Sequence, residues 1–212
     1  MKRLTILLLV LVLCIASVTA SAEGFDVSMF EGVENFAVNV HEANDFVSID
    51  VEDAEPCAFY ISDSKSILGG LLPSFKYTTD DELTFALFCR VISQDYVNFD
   101  QIIIKVGENR YTFSNIDSLL GESGRSTISV ESGTYVLEST AIIIDAQNVA
   151  FLDDLKAHAT EEIKVRLKGD YDCDFTMSET LVQTILTAYD LFVEAGGMDY
   201  LTDADGTPIT VR

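Results

Sequence analysis

The stretch SETLVQTILTAYDLFVEAGG, residues 178–197, repeats its apolar side chains at helical spacing. Leu181, Ile185, Ala188 and Phe192 make one stripe, and Val182, Leu186, Tyr189 and Val193 make a second beside it. A serine or threonine can cap the start, and Gly196-Gly197 marks the stop. A helix apolar over so wide an arc belongs inside the molecule. It argues against an all-β sandwich for the whole chain, although the residues before it would suit an immunoglobulin-like sandwich by themselves.

Upstream, the dominant period is two. ELTFALFCRVIS (82–93) is the strongest strand, with Leu83, Phe85, Leu87, Cys89 and Val91 on one face. Ala86, Phe88 and Ile92 make its other face apolar too, which predicts a central strand covered on both sides. NFAVNV (35–40), FVSIDVE (46–52) and CAFYIS (57–62) are shorter strand patterns. QIIIKVGENRYTF (101–113) reads as a hairpin around Gly107-Glu108-Asn109, and STISVESGTYVLES (126–139) as another turning at Ser132-Gly133. AIIID (141–145) is a further run of strand length. Residues 63–81 hold Gly69-Gly70 and Pro73 and read as a long loop. Its ILGGLLP segment is too apolar for an idle surface, so it either packs into the core or contacts a partner.

The period changes again at NVAFLDDLKAHA (148–159), where Val149, Leu152, Leu155 and Ala159 share a helical face and Asn148 is a candidate N-cap. Asp153 and Asp154 face outward, and His158 falls in the last turn. Residues 162–168 return to strand alternation, and the tail DYLTDADGTPITVR reads as a hairpin turning at Asp205-Gly206. The expected fold class is α+β: a mainly antiparallel β-sheet or sandwich with two helices, about 148–159 and 178–195, packed against it.

The first 22 residues have the form of a signal peptide. Lys2 and Arg3 precede a largely apolar run from Leu4 to Ile15, and Ala20-Ser21-Ala22 offers a small-x-small cleavage site. The run breaks at Ser17 and Thr19, short of the span an anchor needs. Cys14 raises a lipoprotein alternative, against which large Leu13 stands where a lipobox wants a small residue. The expectation is a bacterial-type exported protein, secreted or extracytoplasmic after cleavage, with residues 23–212 forming a single α+β domain. Residues 23–212 contain no second apolar stretch long enough to span a bilayer.

The whole chain carries 13 Lys and Arg against 35 Asp and Glu; without Lys2 and Arg3 the balance is 11 to 35, a net charge of −24. That opposes nucleic-acid binding, which starts from a basic surface. It keeps the protein soluble by self-repulsion. Cys57, Cys89 and Cys173 follow the leader, so at most one internal bridge can form among them. Cys57 and Cys89 suit buried thiols as well as a bridge. No Cys-x-x-Cys is present to hold zinc or perform thiol exchange.

IKVRLKGDYDCDF (163–175) concentrates charge unlike any other stretch. Lys164, Arg166 and Lys168 lie on one face of a strand, a candidate contact for an anionic ligand or an acidic partner; a solvated outer face, or an edge strand blocked by lysine, is the plainer account. Asp170, Asp172 and Asp174 open like a calcium loop, but Phe175 and Leu181 stand where its glycine and glutamate belong. Weak calcium binding is the only cofactor they suggest, and a polar loop leading to the helix is the plainer account. DADG at 203–206 is explained by turn chemistry.

Catalytic signals are sparse. His41 and His158 have no metal-ligand spacing, and Gly-x-Ser-x-Gly, Walker and dinucleotide patterns are missing. SDSK (62–65) matches a serine-lysine motif without its companions, and LGESGRS (120–126) lacks a phosphate-loop ending. A thiol–imidazole pair would have to draw Cys173 to His158 or His41. A two-carboxylate glycosidase would lack the tryptophans that usually line sugar sites. The sequence therefore favours a non-catalytic exported protein with a binding or interaction role, its partner a protein or an anionic surface ligand. An extracytoplasmic enzyme with unassigned carboxylates and a structural or oligomeric surface component are the alternatives.

Overall fold

The computed structural model describes residues 24–51, 57–61, 65–93, 95–114, 125–130 and 133–201. Residues 1–23 with Cys14, the Cys57 side chain, the first three residues of SDSK, most of LGESGRS, Ser132 of the expected Ser132-Gly133 turn and the tail from 202 lie outside them.

The fold is α+β. Among the described residues eleven strands are all paired antiparallel: β1 (Phe36–His41), β2 (Phe46–Val51), β3 (Cys57–Ile61), β4 (Lys65–Thr78), β5 (Leu83–Ser93), β6 (Gln101–Val106), β7 (Asn109–Ser114), β8 (Arg125–Val130), β9 (Gly133–Ile144), β10 (Lys164–Lys168) and β11 (Cys173–Thr176). The main path runs β7-β6-β10-β11-β3-β4-β5-β9-β8, and the β1–β2 hairpin branches from β4. Two helices, α1 (Ala150–Ala157) and α2 (Glu179–Glu194), pack on the apolar side.

Residues 65–78, expected within a loop, form the longest strand of the sheet. β4 pairs along ten residues with β5, while its other edge serves two neighbours in turn: β3 over Lys65–Gly69 and β2 over Ser74–Thr78. Pro73 falls in the gap between them, where its missing N–H deprives no partner on that edge. Gly69 and Gly70 are buried, and a Cβ on Gly70 would stand 3.8 Å from Leu181 of α2. The punctuation that suggests a loop therefore marks where one strand changes partner and a helix approaches closely. Within ILGGLLP, Leu71 and Pro73 are buried beside the two glycines and Leu72 is half-buried, so this part of the segment packs into the core.

β5 is central, between β4 and β9. Phe85, Leu87, Cys89 and Val91 are buried on its inner face; on the outer face Ala86 is buried but Phe88 is only half-buried, with the Arg90 guanidinium 5.9 Å from its ring centre. AIIID belongs to the same strand as the hairpin arm before it, so β9 is one run of twelve residues.

Ser178 caps α2 by accepting from the Leu181 N–H at 3.1 Å, and Gly196 ends it with φ +85°, a conformation glycine adopts without strain. Leu181, Val182, Ile185, Ala188 and Phe192 are buried, whereas Val193, grouped with the apolar stripe, is 40% exposed. Phe192 meets Phe25, Phe75 and Phe85 at ring-centre distances of 6.2, 6.0 and 5.1 Å. α1 buries Phe151, Leu152 and Leu155 and is tied to α2 by Tyr189 donating to Asp153 at 2.8 Å. Asn148 does not cap α1; its side chain and that of Asp145 close the turn after β9.

Among the described residues no helix is long and apolar enough to cross a membrane.

Candidate functional site

β10 alternates as the sequence dictates: Val165 and Leu167 are buried, and Lys164, Arg166 and Lys168 are exposed. It is not an edge strand, since β6 pairs with one side and β11 with the other. Guarding an edge against other chains therefore does not account for its lysines. GDYDCDF also departs from expectation. Only residues 169–172 form a turn, and Cys173–Thr176 return as β11.

Register brings further cations to the same face. Lys164 stands directly opposite Lys105 of β6, and Lys105 directly opposite Arg110 of β7. Arg110, Lys105 and Lys164 thus lie abreast across three neighbouring strands, about 4.8 Å apart by strand spacing. Like charges placed directly opposite each other destabilise a sheet. Lys164 is partly compensated by Glu162, 2.9 Å from its Nζ, and Lys164 in turn holds the Glu162 carboxyl below the usual carboxylate range. Among the described residues, no carboxylate forms an ion pair with Lys105 or Arg110. The row lies in a shallow concavity of about 600 Å³ whose lining also includes Arg166, Asp174 and Thr176.

Arg166 has its own counter-ions. It stands opposite Asp174 in register and donates to both its carboxylate oxygens, Nε and one terminal nitrogen each at 2.6 Å. Asp172 adds a longer contact at 3.6 Å. The bidentate hydrogen bond and the charge of Arg166 hold Asp174 below the usual carboxylate range. Asp170 instead accepts from the Asn98 side chain at 2.5 Å. Asp172 and Asp174 serve the guanidinium, and among the described residues no group of three His, Cys, Asp or Glu side chains could hold a metal ion. Lys168 stands opposite Gln101 at the far end of β10, away from the row.

The site proposed by sequence is thus redistributed. Lys164 remains, Arg166 is neutralised, and Lys105 and Arg110 join. Their mutual pairing is local to QIIIKVGENRYTF, where a two-residue turn at Gly107-Glu108 sets Lys105 against Arg110. Their pairing with Lys164 spans nearly sixty residues of chain and leaves no local signal.

Two devices hold this face in place. Behind the β10–β11 turn, the buried Glu138 carboxylate accepts from the backbone N–H groups of Val97 (2.5 Å) and Asn98 (2.9 Å). That fixed segment receives the Asp170 N–H on the Val97 carbonyl and donates the Asp100 N–H to the Lys168 carbonyl. Gly169 lies so close that a Cβ would stand 2.5 Å from the Val97 oxygen. Beside the β6–β7 turn, Asp154 of α1 accepts from Asn109 (3.0 Å) and the Tyr111 hydroxyl (3.1 Å), and the His158 ring lies against Gly107. His158 is hydrogen-bonded to Glu161 at 2.8 Å and lies 3.5 Å from Asp154; those partners raise its pKa.

The thiol–imidazole pairing does not form. Cys173 is buried, which pushes its thiol up to about 11, and both histidines have other partners. His41 stacks on Phe46 at 4.3 Å and meets Ser48 at 3.1 Å. Cys89 and Cys173 are free thiols, so the alternative of a Cys57–Cys89 bridge does not hold. No family model matches the chain, and no curated protein or solved structure is similar to it.

Proposed function

We propose that this is an exported, non-catalytic binding protein whose β6–β7–β10 face receives an anionic partner. The row Arg110–Lys105–Lys164 carries this reading: three cations abreast, in a chain whose formal net charge is −22. A like-charge row whose one ion pair among the described residues is Lys164–Glu162 is unfavourable in the unliganded sheet and favourable once an anion lies across it. Self-repulsion and solubility account for the acidic remainder of the surface, not for this concentration of positive charge.

The test compares the parent with the double variant Lys105→Gln, Arg110→Gln in thermal melts against orthophosphate, tripolyphosphate, citrate and a glutamate oligomer. An anion that binds the native state stabilises it by about 2.7 kcal/mol at a hundredfold excess over Kd. At least one of these anions is expected to raise the parent's melting temperature and leave the variant's unchanged. If none moves the parent, or each moves both proteins equally, the face is not a binding site.

A further inference from the structure

We infer that the ligand of this face is a linear oligophosphate lying across the strands, with two phosphate groups of one chain seated between Arg110 and Lys105 and between Lys105 and Lys164. The inference rests on the binding role proposed above and adds the ligand's valence, direction and chemistry.

Valence follows from register. Three cations in one cross-strand row leave two interstices, one on each side of Lys105, separated by about one strand spacing. A single small anion fills one interstice and leaves the other pair of like charges opposed. A chain bearing two or more anionic groups relieves both. Direction follows as well, because the row runs perpendicular to the strands. Along β10 itself the next outward residue is Arg166, whose charge is balanced by the two hydrogen bonds it donates to Asp174.

The lining indicates the chemistry. Between the charged groups lie Thr176, whose hydroxyl donates to Glu162 at 3.2 Å, and the buried Ile103; the aromatic residue of the lining, Phe175, is 5% exposed. Among the described residues the concavity therefore presents no open ring face on which a sugar or nucleobase could stack. A compact chain of tetrahedral anions asks for no such platform. The Arg110 guanidinium can meet one phosphate with two donors, and the lysines act as point charges on the next. Glu162, paired with Lys164, is the internal competitor that a bound phosphate displaces.

The experiment is calorimetric titration of the whole exported chain with orthophosphate, pyrophosphate and tripolyphosphate, with a glutamate oligomer as the carboxylate arm. Affinity is expected to rise along the phosphate series, with tripolyphosphate at least about tenfold tighter than orthophosphate. Lys164→Gln is expected to remove most of that advantage while leaving orthophosphate binding in place. Lys156→Gln, whose charge is paired with Asp190 away from the concavity, is expected to leave the series unchanged. Equal affinities along the series would overturn the oligophosphate inference and leave the anion-binding face standing. A glutamate oligomer that binds as tightly as tripolyphosphate would overturn the phosphate assignment. Tripolyphosphate binding that survives Lys105→Gln, Arg110→Gln would overturn the inference and the face together, as would no binding by any probe.

Discussion

Replacing Phe192 by alanine is the sharpest test of how the helices and sheet are joined. Phe192 is wholly buried at the meeting point of α2, β4, β5 and the N-terminal segment, among the rings of Phe25, Phe75 and Phe85. A Cβ placed on Gly197 would come within 2.3 Å of its ring, so the following turn is moulded around it. Truncating a fully buried phenylalanine costs about 3–5 kcal/mol. The upper part of that range applies, because three aromatic neighbours lose a partner and the backbone at Gly197 cannot collapse far into the space. For a chain of this size each kcal/mol lowers the melting temperature by roughly 2–4 °C, so a cost of about 4–5 kcal/mol gives an expected loss of roughly 8–20 °C. Urea unfolding of the parent, Phe192→Ala and Phe192→Leu measures it. The leucine variant retains part of the volume and is expected to lose less than half as much. A Phe192→Ala protein within about 1 kcal/mol of the parent, at unchanged m-value, would refute the packing of α2 on this wall.

Two further perturbations probe the frame of the basic face. Gly169→Ala sets a Cβ 2.5 Å from the Val97 carbonyl and 2.6 Å from that of Asn98, a segment pinned by Glu138, and is expected to lose about 1–3 kcal/mol in urea unfolding. An unchanged unfolding midpoint would show that the segment is not fixed. The raised pKa of His158 makes its contribution to stability fully present below the unfolded value near 6.5 and lost as pH rises through the folded value. The melting-temperature gap between the parent and His158→Gln should therefore narrow from about pH 5 to about pH 9, and a gap that widens would reverse the assignment of Glu161 and Asp154 as its partners.

Much of the architecture is legible along the chain because its causes are local. The Ser178 cap, the glycine stop and the doubled apolar stripe describe α2 before any contact is known. Alternation identifies β1, β2, β5 and β10, and the glycine-containing turn identifies the β6–β7 hairpin; its Lys105–Arg110 register appears only once Asn109 is seen to pair with Val106 and not to lie in the turn. The same local logic fails at residues 65–78. Glycine and proline in a strand are explained there by neighbours distant in sequence: β2 and β3 sharing one edge, and Leu181 above Gly70.

The candidate site divides in the same way. Sequence alone determined that β10 carries a basic outer face in an acidic chain, because alternation and composition need no partner to be read. Only the tertiary structure decided which of those charges stand side by side. Placing β6 and β11 on either side of β10 committed Arg166 to Asp174 and set Lys164 beside Lys105 and Arg110. Strand order and register come from burying one shared core, and no short stretch of chain encodes them.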